Sequence, residues 1–275
     1  MDSVKLETRT HRTEDGAEIA YRVREGSSPW LLLHALGCDA SMWDDVIAAL
    51  PDETGLVVPE LRGHGGSTLG WRPPDVELMA RDVIDIATHE GVTRPAVAGI
   101  SMGGYVAMAV AALAPDSARA WAFVSTRARA DDEQGRAGRA VGLETLHRRG
   151  WQSFAAGLMS MLLSESHPEF PAHRERLMEM FSRAGEAGLT WTLIALANRA
   201  DRLETLAGLR APAVVVVGDA DLLTPPDHAR EIAAATPGSK LVILPGIAHM
   251  STLEAPRDVA AALTKLPGLP STDGD

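Results

Sequence analysis

Cysteine is almost missing from this chain of 275 residues, Cys38 being the only one. That excludes an intrachain disulfide and a thiolate metal cluster built within one chain, and leaves Cys38 to be read as a small buried hydrophobe. Positive charge is also short: 26 Lys+Arg against 37 Asp+Glu give a net charge of −11. Such a surface repels phosphate backbones and anionic lipid, so neither nucleic acid nor a membrane is an expected partner. No apolar run approaches the roughly 18 residues a membrane span needs. The opening Met1 to Glu7 lacks a basic segment leading into an apolar one, so no secretory leader is expected and the compartment expected is the cytoplasm. The nine histidines show no His-Glu-x-x-His or similar ligand spacing, and no Gly-x-Gly-x-x-Gly follows a strand-like run. Hence neither a catalytic metal nor a dinucleotide cofactor is expected. Internal repeats and low-complexity tracts are absent too.

What is present is an ordinary globular composition, 45% hydrophobic and 23% charged, in a length that suits one α/β core with an insertion. Val4 to His11 and Ala17 to Val23 flank Glu14-Asp15-Gly16 and read as an opening hairpin. Trp30 to Leu33, Gly55 to Val58, Pro95 to Ile100, Trp121 to Val124, Val214 to Val217 and Leu241 to Leu244 are continuous apolar runs. They suit parallel strands buried on both faces. Between them Val76 to Glu90, Gly103 to Ala114, Asp227 to Ala235 and Pro256 to Leu266 read as helices, the last opening on a proline its first turn tolerates. The interval 127–201 breaks the alternation: it is helical, rich in Met, Trp, Arg and Ala, and holds no buried-strand run. The expected architecture is an α/β fold whose mostly parallel eight-stranded sheet is flanked by helices. Residues 1–126 and 202–275 form the core domain, and 127–201 form a helical cap inserted after the sixth strand. Residues 267–275 read as a frayed polar tail.

The main chemical signal is Gly99-Ile100-Ser101-Met102-Gly103-Gly104, between an apolar strand and a small-residue helix. A tight strand-to-helix turn needs glycine at both flanks because a Cβ there would collide with neighbouring backbone, and the turn lifts the Ser101 hydroxyl clear of the sheet. Chance alone gives about 0.1 such Gly-x-Ser-x-Gly segments in this composition. A serine hydroxyl is a poor nucleophile until a base takes its proton, so an acid and a histidine must follow. Val214 to Val217 runs into Gly218-Asp219-Ala220-Asp221-Leu222-Leu223-Thr224-Pro225, and Leu241 to Leu244 into Pro245-Gly246-Ile247-Ala248-His249. Both loops lie at C-terminal ends of buried strands, where α/β active sites gather. Asp221 is the expected acid, with Asp219 and, after the sixth strand, Asp131 or Asp132 as its competitors. His34 and His64 read as structural loop residues that bond backbone, and Glu60 with Arg62 as a structural turn network.

Together with His34-Ala35-Leu36-Gly37 and Leu61-Arg62-Gly63-His64-Gly65-Gly66-Ser67, these segments make the chain resemble the α/β-hydrolase superfamily from about residue 17 to about residue 266. It looks most like the small single-cap enzymes near 3-oxoadipate enol-lactonase and the cofactor-free haloperoxidase-type esterases. The resemblance implies that Ser101 is the nucleophile, His249 the general base and then acid, and Asp221 the holder of the imidazole tautomer. It also implies an oxyanion hole made of the backbone N–H groups of Leu36 and Met102. Many relatives carry His-Gly where this chain has His34-Ala35, so the hole is expected to differ in shape.

The insertion should line the substrate pocket, for which His34, Trp151, Leu158, Met159, Leu162 and Trp191 are the candidates; plain helix packing is the competing explanation for most of the apolar ones. Residues 127–149 carry six arginines (127, 129, 136, 139, 148, 149) against Asp131, Asp132, Glu133 and Glu144, a balance of 6 − 4 = +2. In so acidic a chain this suits a carboxylate-bearing small-molecule substrate, against the weightier alternative of a solvated helical face. The expected activity is hydrolysis of a small ester or lactone through an acyl-enzyme, without cofactor, by a monomer or homodimer. A cofactor-free lyase, cyclase or C–C bond hydrolase, and a non-catalytic binding protein, are the rival readings on the same fold.

Overall fold

In the computed structural model, which describes residues 6–266, the apolar runs assemble into one eight-stranded sheet. The expected tail over 267–275 and the start of the first expected strand at Val4 lie outside the described residues. In chain order the elements are β1 (Glu7–Arg12), β2 (Glu18–Arg24), β3 (Ser27–Leu33), α1 (Asp44–Ala48), β4 (Thr54–Pro59), α2 (Val76–His89), β5 (Ala96–Ile100), α3 (Met102–Leu113) and β6 (Ala120–Val124). Then come α4 (Glu133–Leu162), α5 (Phe170–Ala197), α6 (Leu203–Ala207), β7 (Ala213–Gly218), α7 (Pro226–Ala235), β8 (Lys240–Leu244), α8 (Ser251–Glu254) and α9 (Pro256–Thr264). The strands lie in the order β1-β2-β4-β3-β5-β6-β7-β8. β1 and β2 form the expected antiparallel hairpin, β2 meets β4 antiparallel, and every pairing from β4 to β8 is parallel.

Alternate side chains of a strand point to opposite faces, so a run buried on both sides feeds two cores. Trp30, Leu32, Val214 and Val216 pack on one face with α1, α8, α9 and the insertion. Leu31, Leu33, Val215 and Val217 pack on the other with α2, α3, α6 and α7. β8 corrects one expectation. Its apolar run was expected to be buried on both faces, yet β8 ends the sheet order, and edge position leaves Lys240 and Ile243 exposed.

Between β6 and α6 the chain makes the two long helices α4 and α5, each broken where a glycine takes positive φ: Gly150 at 77° and Gly185 at 61°. α5 is tied to the core by Arg183 to Asp39 (2.6 Å) and Arg176 to Asp45 (2.5 Å), and the Phe181 ring fills the space over Gly37. Arg62 does anchor a network, but its partners are Asp15 (2.7 Å) and Asp82 (2.5 Å), all three side chains buried, while Glu60 takes the Gly66 N–H instead. Removing one member of such a buried charge set costs about 3–5 kcal/mol, because the remaining charge is left uncompensated. No helix among the described residues is long and apolar enough to cross a membrane.

Candidate active site

Ser101 sits between β5 and α3 with φ 52° and ψ −114°, a strained combination for a residue with a Cβ. The surroundings hold it there. A Cβ on Gly99 would run into the Gly103 carbonyl and one on Gly103 into the Leu33 carbonyl, so the strand and helix approach more closely than any other residue pair would allow. The Ser101 N–H donates to the Val124 carbonyl (2.9 Å), and the Thr126 hydroxyl donates to the Ser101 carbonyl (2.8 Å). The backbone is thus fixed from the neighbouring strand while the hydroxyl faces a cavity.

The loops after β7 and β8 meet in the protein interior. Asp221 Oδ1 accepts the N–H groups of Leu223 (2.9 Å) and Thr224 (2.8 Å). Its Oδ2 accepts the Thr224 hydroxyl (2.8 Å) and His249 Nδ1–H (2.9 Å). Burial alone would raise the Asp221 pKa, but the imidazole and these donors outweigh it and hold the carboxyl below its ordinary range. An ionised carboxylate only accepts, so it keeps the imidazole proton on Nδ1 and leaves the lone pair on Nε2. That Nε2 is buried and has no hydrogen-bond partner among the described residues. The competing acids go elsewhere: Asp219 takes the Gly246 N–H (2.6 Å), and Asp131 is surrounded by Arg127, Arg139 (3.2 Å) and Arg199 (2.8 Å). Asp132 caps α4 through the Gly135 N–H (2.7 Å).

Ser101, His249, Leu36 and Thr224 all line one cavity of about 420 Å³, a size typical of small-molecule sites. The Leu36 N–H and the Met102 N–H donate to no protein acceptor among the described residues. The loop carrying Leu36 is set by two histidines: His64 Nε2 accepts the neighbouring Gly37 N–H (3.1 Å), and His34 Nε2 accepts the Leu61 N–H (2.8 Å). Burial, and for His34 also the nearby His64, pushes their pKa values down to about 3 (His34) and about 4 (His64), so both rings stay neutral acceptors at neutral pH. An unpartnered imidazole nitrogen, a strained serine and the free Leu36 N–H on one cavity, with the free Met102 N–H directly after Ser101 in the chain, are what activating a hydroxyl against a carbonyl carbon needs.

A model of the alpha/beta hydrolase family matches residues 30–262. The chain belongs to that family. A thermophilic esterase from Thermogutta terrifontis, solved with malate bound, superposes with a TM-score of 0.86 at 30% identity, covering 94% of this chain and 96% of that one. The enol-lactonase of Burkholderia xenovorans LB400 superposes with a TM-score of 0.84 at 26% identity, covering 93% and 98%. Over 248 residues the chain is 27% identical to the dihydrolipoyllysine-residue acetyltransferase component of the acetoin cleaving system of Pseudomonas putida. That match takes in 86% of this chain but spans only 62% of the relative.

Within this hydrolase-family site the pocket candidates divide. Leu158 and Leu162 line the cavity; His34, Trp151, Met159 and Trp191 do not. His34 has both ring nitrogens engaged with backbone, Met159 and Trp151 pack into the core on one face of the sheet, and Trp191 packs into the core on the other. Lining residues missed from sequence include Tyr105, Leu193 and Met250. The Arg-rich stretch divides too. Arg129 pairs with Glu231, Arg148 with Glu144, Arg136 donates to the Asp131 carbonyl and Arg149 is exposed, whereas Arg127 and Arg139 reach the cavity.

Proposed function

We propose that the protein hydrolyses a small carboxylic ester or lactone by way of an acyl-enzyme on Ser101. The observation that carries this reading is His249, with Nδ1–H bound to Asp221 and a buried, unpartnered Nε2, on the same cavity as Ser101. Nε2 takes the hydroxyl proton as Oγ attacks the carbonyl carbon, and the Leu36 and Met102 N–H groups stabilise the oxyanion. The ester C–O bond then breaks, with the proton passing from Nε2 to the leaving oxygen. Water attacks the acyl carbon in the second half, again giving its proton to Nε2, which returns it to Ser101 Oγ. Asp221 keeps the tautomer and stabilises the imidazolium without taking the proton itself. The esterase and enol-lactonase among the structural relatives support the ester-bond chemistry.

The helical insertion acts as a cap: Leu158, Met161 and Leu162 of α4 and Phe181 of α5 roof the cavity and keep bulk water from the acyl group. The substrate carries a carboxylate. Arg127 and Arg139 line the cavity, no Asp or Glu lines it among the described residues, and the nearby Asp131 is shared by three guanidinium groups. The deciding experiment is turnover of p-nitrophenyl acetate by wild type and Ser101→Ala: loss of activity is expected, and a near-wild-type rate in the variant contradicts the reading.

A further inference from the structure

Glu254 ends α8 five residues after His249, and its carboxylate is buried, with the residue 7% exposed. No Lys, Arg or His side chain forms a salt bridge with it among the described residues. Instead, each oxygen takes one backbone N–H: Oε1 from Ser164 (2.6 Å) and Oε2 from Ala248 (2.7 Å). Ala248 immediately precedes His249, and Ser164 lies just past the end of α4 in the turn to α5. A second tie runs in parallel, since the Met250 N–H donates to the Leu162 carbonyl (3.0 Å). His167, from the same turn, places Nε2 3.1 Å from the Glu254 carbonyl oxygen. Met250 is therefore bound to the end of α4 directly, and Ala248 is linked through Glu254 to the residue just past it.

Burying a carboxylate without a cation is costly unless charge-assisted hydrogen bonds offset the lost hydration, and two N–H donors, Ser164 and Ala248, from segments 248 − 164 = 84 residues apart provide that here. A charged acceptor also holds its donors more stiffly than a neutral one. Asp221 holds the imidazole at Nδ1, with the Thr224 hydroxyl 3.2 Å away, but these contacts do not fix the backbone that carries the ring. The backbone at 248–250 carries the ring, and its ties to the end of α4 are among the contacts that hold it. Leu162 and Met250 line the cavity themselves, so a ligand filling it presses on both partners of the tie.

We propose that Glu254 is a positioning residue that couples the seating of the helical insertion to the alignment of His249 with Ser101. This rests on the reading of His249 as the catalytic base. The test compares Glu254→Ala, which removes both acceptors, and Glu254→Gln, which keeps one, with Arg176→Ala, which cuts a different tie between α5 and the core. Two readouts are followed: kcat and KM for p-nitrophenyl acetate, and the low-field NMR resonance of the His249 Nδ1 proton. Glu254→Ala is expected to lower kcat roughly 10- to 100-fold, the scale of small misplacements of reacting groups, with KM within about twofold. Its Nδ1 resonance shifts or broadens. Glu254→Gln falls between it and wild type, and Arg176→Ala matches wild type in both readouts. A folded Glu254→Ala with wild-type kcat and an unmoved resonance overturns the proposal, as does an equal loss in Arg176→Ala. Should Glu254→Ala fail to fold, Glu254→Gln decides by the same two readouts. If wild type turns over no ester, the hydrolytic reading fails instead, and the resonance alone decides: moved in Glu254→Gln but not in Arg176→Ala supports the coupling, unmoved in both overturns it.

Discussion

The loop after β8 and the loops after β3 and β4 each bury histidine completely, and the two regions use it in opposite ways. His34 and His64 engage both ring nitrogens with backbone groups, so their imidazoles serve as neutral fasteners for the turn that carries Leu36. His249 engages only Nδ1 and keeps Nε2 unpartnered beside the cavity. Burial is equal in the two regions. What marks His249 as the candidate base is an unsatisfied lone pair on the cavity, whose partner would come from the proposed reaction.

Breaking each region separately should give different losses. His249→Ala is expected to lower ester turnover by roughly 10⁴- to 10⁶-fold, the scale seen when a triad base is removed, with little change in the thermal midpoint. Steady-state kinetics beside a melting curve checks both halves. Asp221→Asn comes next, at about 10⁴-fold in kcat, because an amide can present its N–H to Nδ1 and stabilise the wrong tautomer. His64→Ala should behave in the opposite sense: about 2–4 kcal/mol of stability lost in a denaturant titration, from an orphaned Gly37 N–H and a cavity, with a smaller effect on the rate per folded molecule.

The same contrast predicts an acid-side weakness. The His34 and His64 pKa values, about 3 and about 4, lie below the ordinary 6.5 because burial disfavours the charged ring. The unfolded chain therefore binds more protons than the folded one between those values and 6.5. Stability contributed by these rings is complete above about pH 7 and is lost as the pH falls toward 4. His173 and His228, lowered mainly by burial, add to the loss. The thermal midpoint should fall steadily from pH 7 to about pH 5, above the range where the depressed carboxylates begin to lose their own contribution; a flat profile contradicts the assignment of both rings as buried neutral acceptors. The smallest effect concerns the substrate. Arg139→Gln should lower kcat/KM about tenfold for a monoester of a dicarboxylic acid and leave its uncharged analogue within about twofold, by direct comparison of the two esters.

That Ser101, Asp221 and His249 come together was legible in the sequence because the signals are local and tied to strand ends. Ser101 needs its flanking glycines, and Asp221 and His249 each follow an apolar run in the required order. The pocket was legible only in part, at Leu158 and Leu162, since Gly150 and Gly185 break α4 and α5, and an apolar periodicity cannot be projected across such breaks to say which face meets the cavity. Trp151 and Trp191 look like pocket residues by type and are packing residues by position. The half-exposed β8 escaped notice because strand order, unlike strand existence, is not written in a run of apolar residues. Glu254 carries no motif of its own and bonds Ser164 across 90 residues, whereas Thr224 lies three residues from Asp221 in the same loop segment.

The most direct measurement is fluorophosphonate labelling followed by peptide mass spectrometry of wild type and His249→Ala. The account predicts rapid, stoichiometric modification of Ser101 in wild type and almost none in the variant. Equal labelling of the two proteins, or a label on any other residue, would contradict the assignment of His249 as the group that activates Ser101.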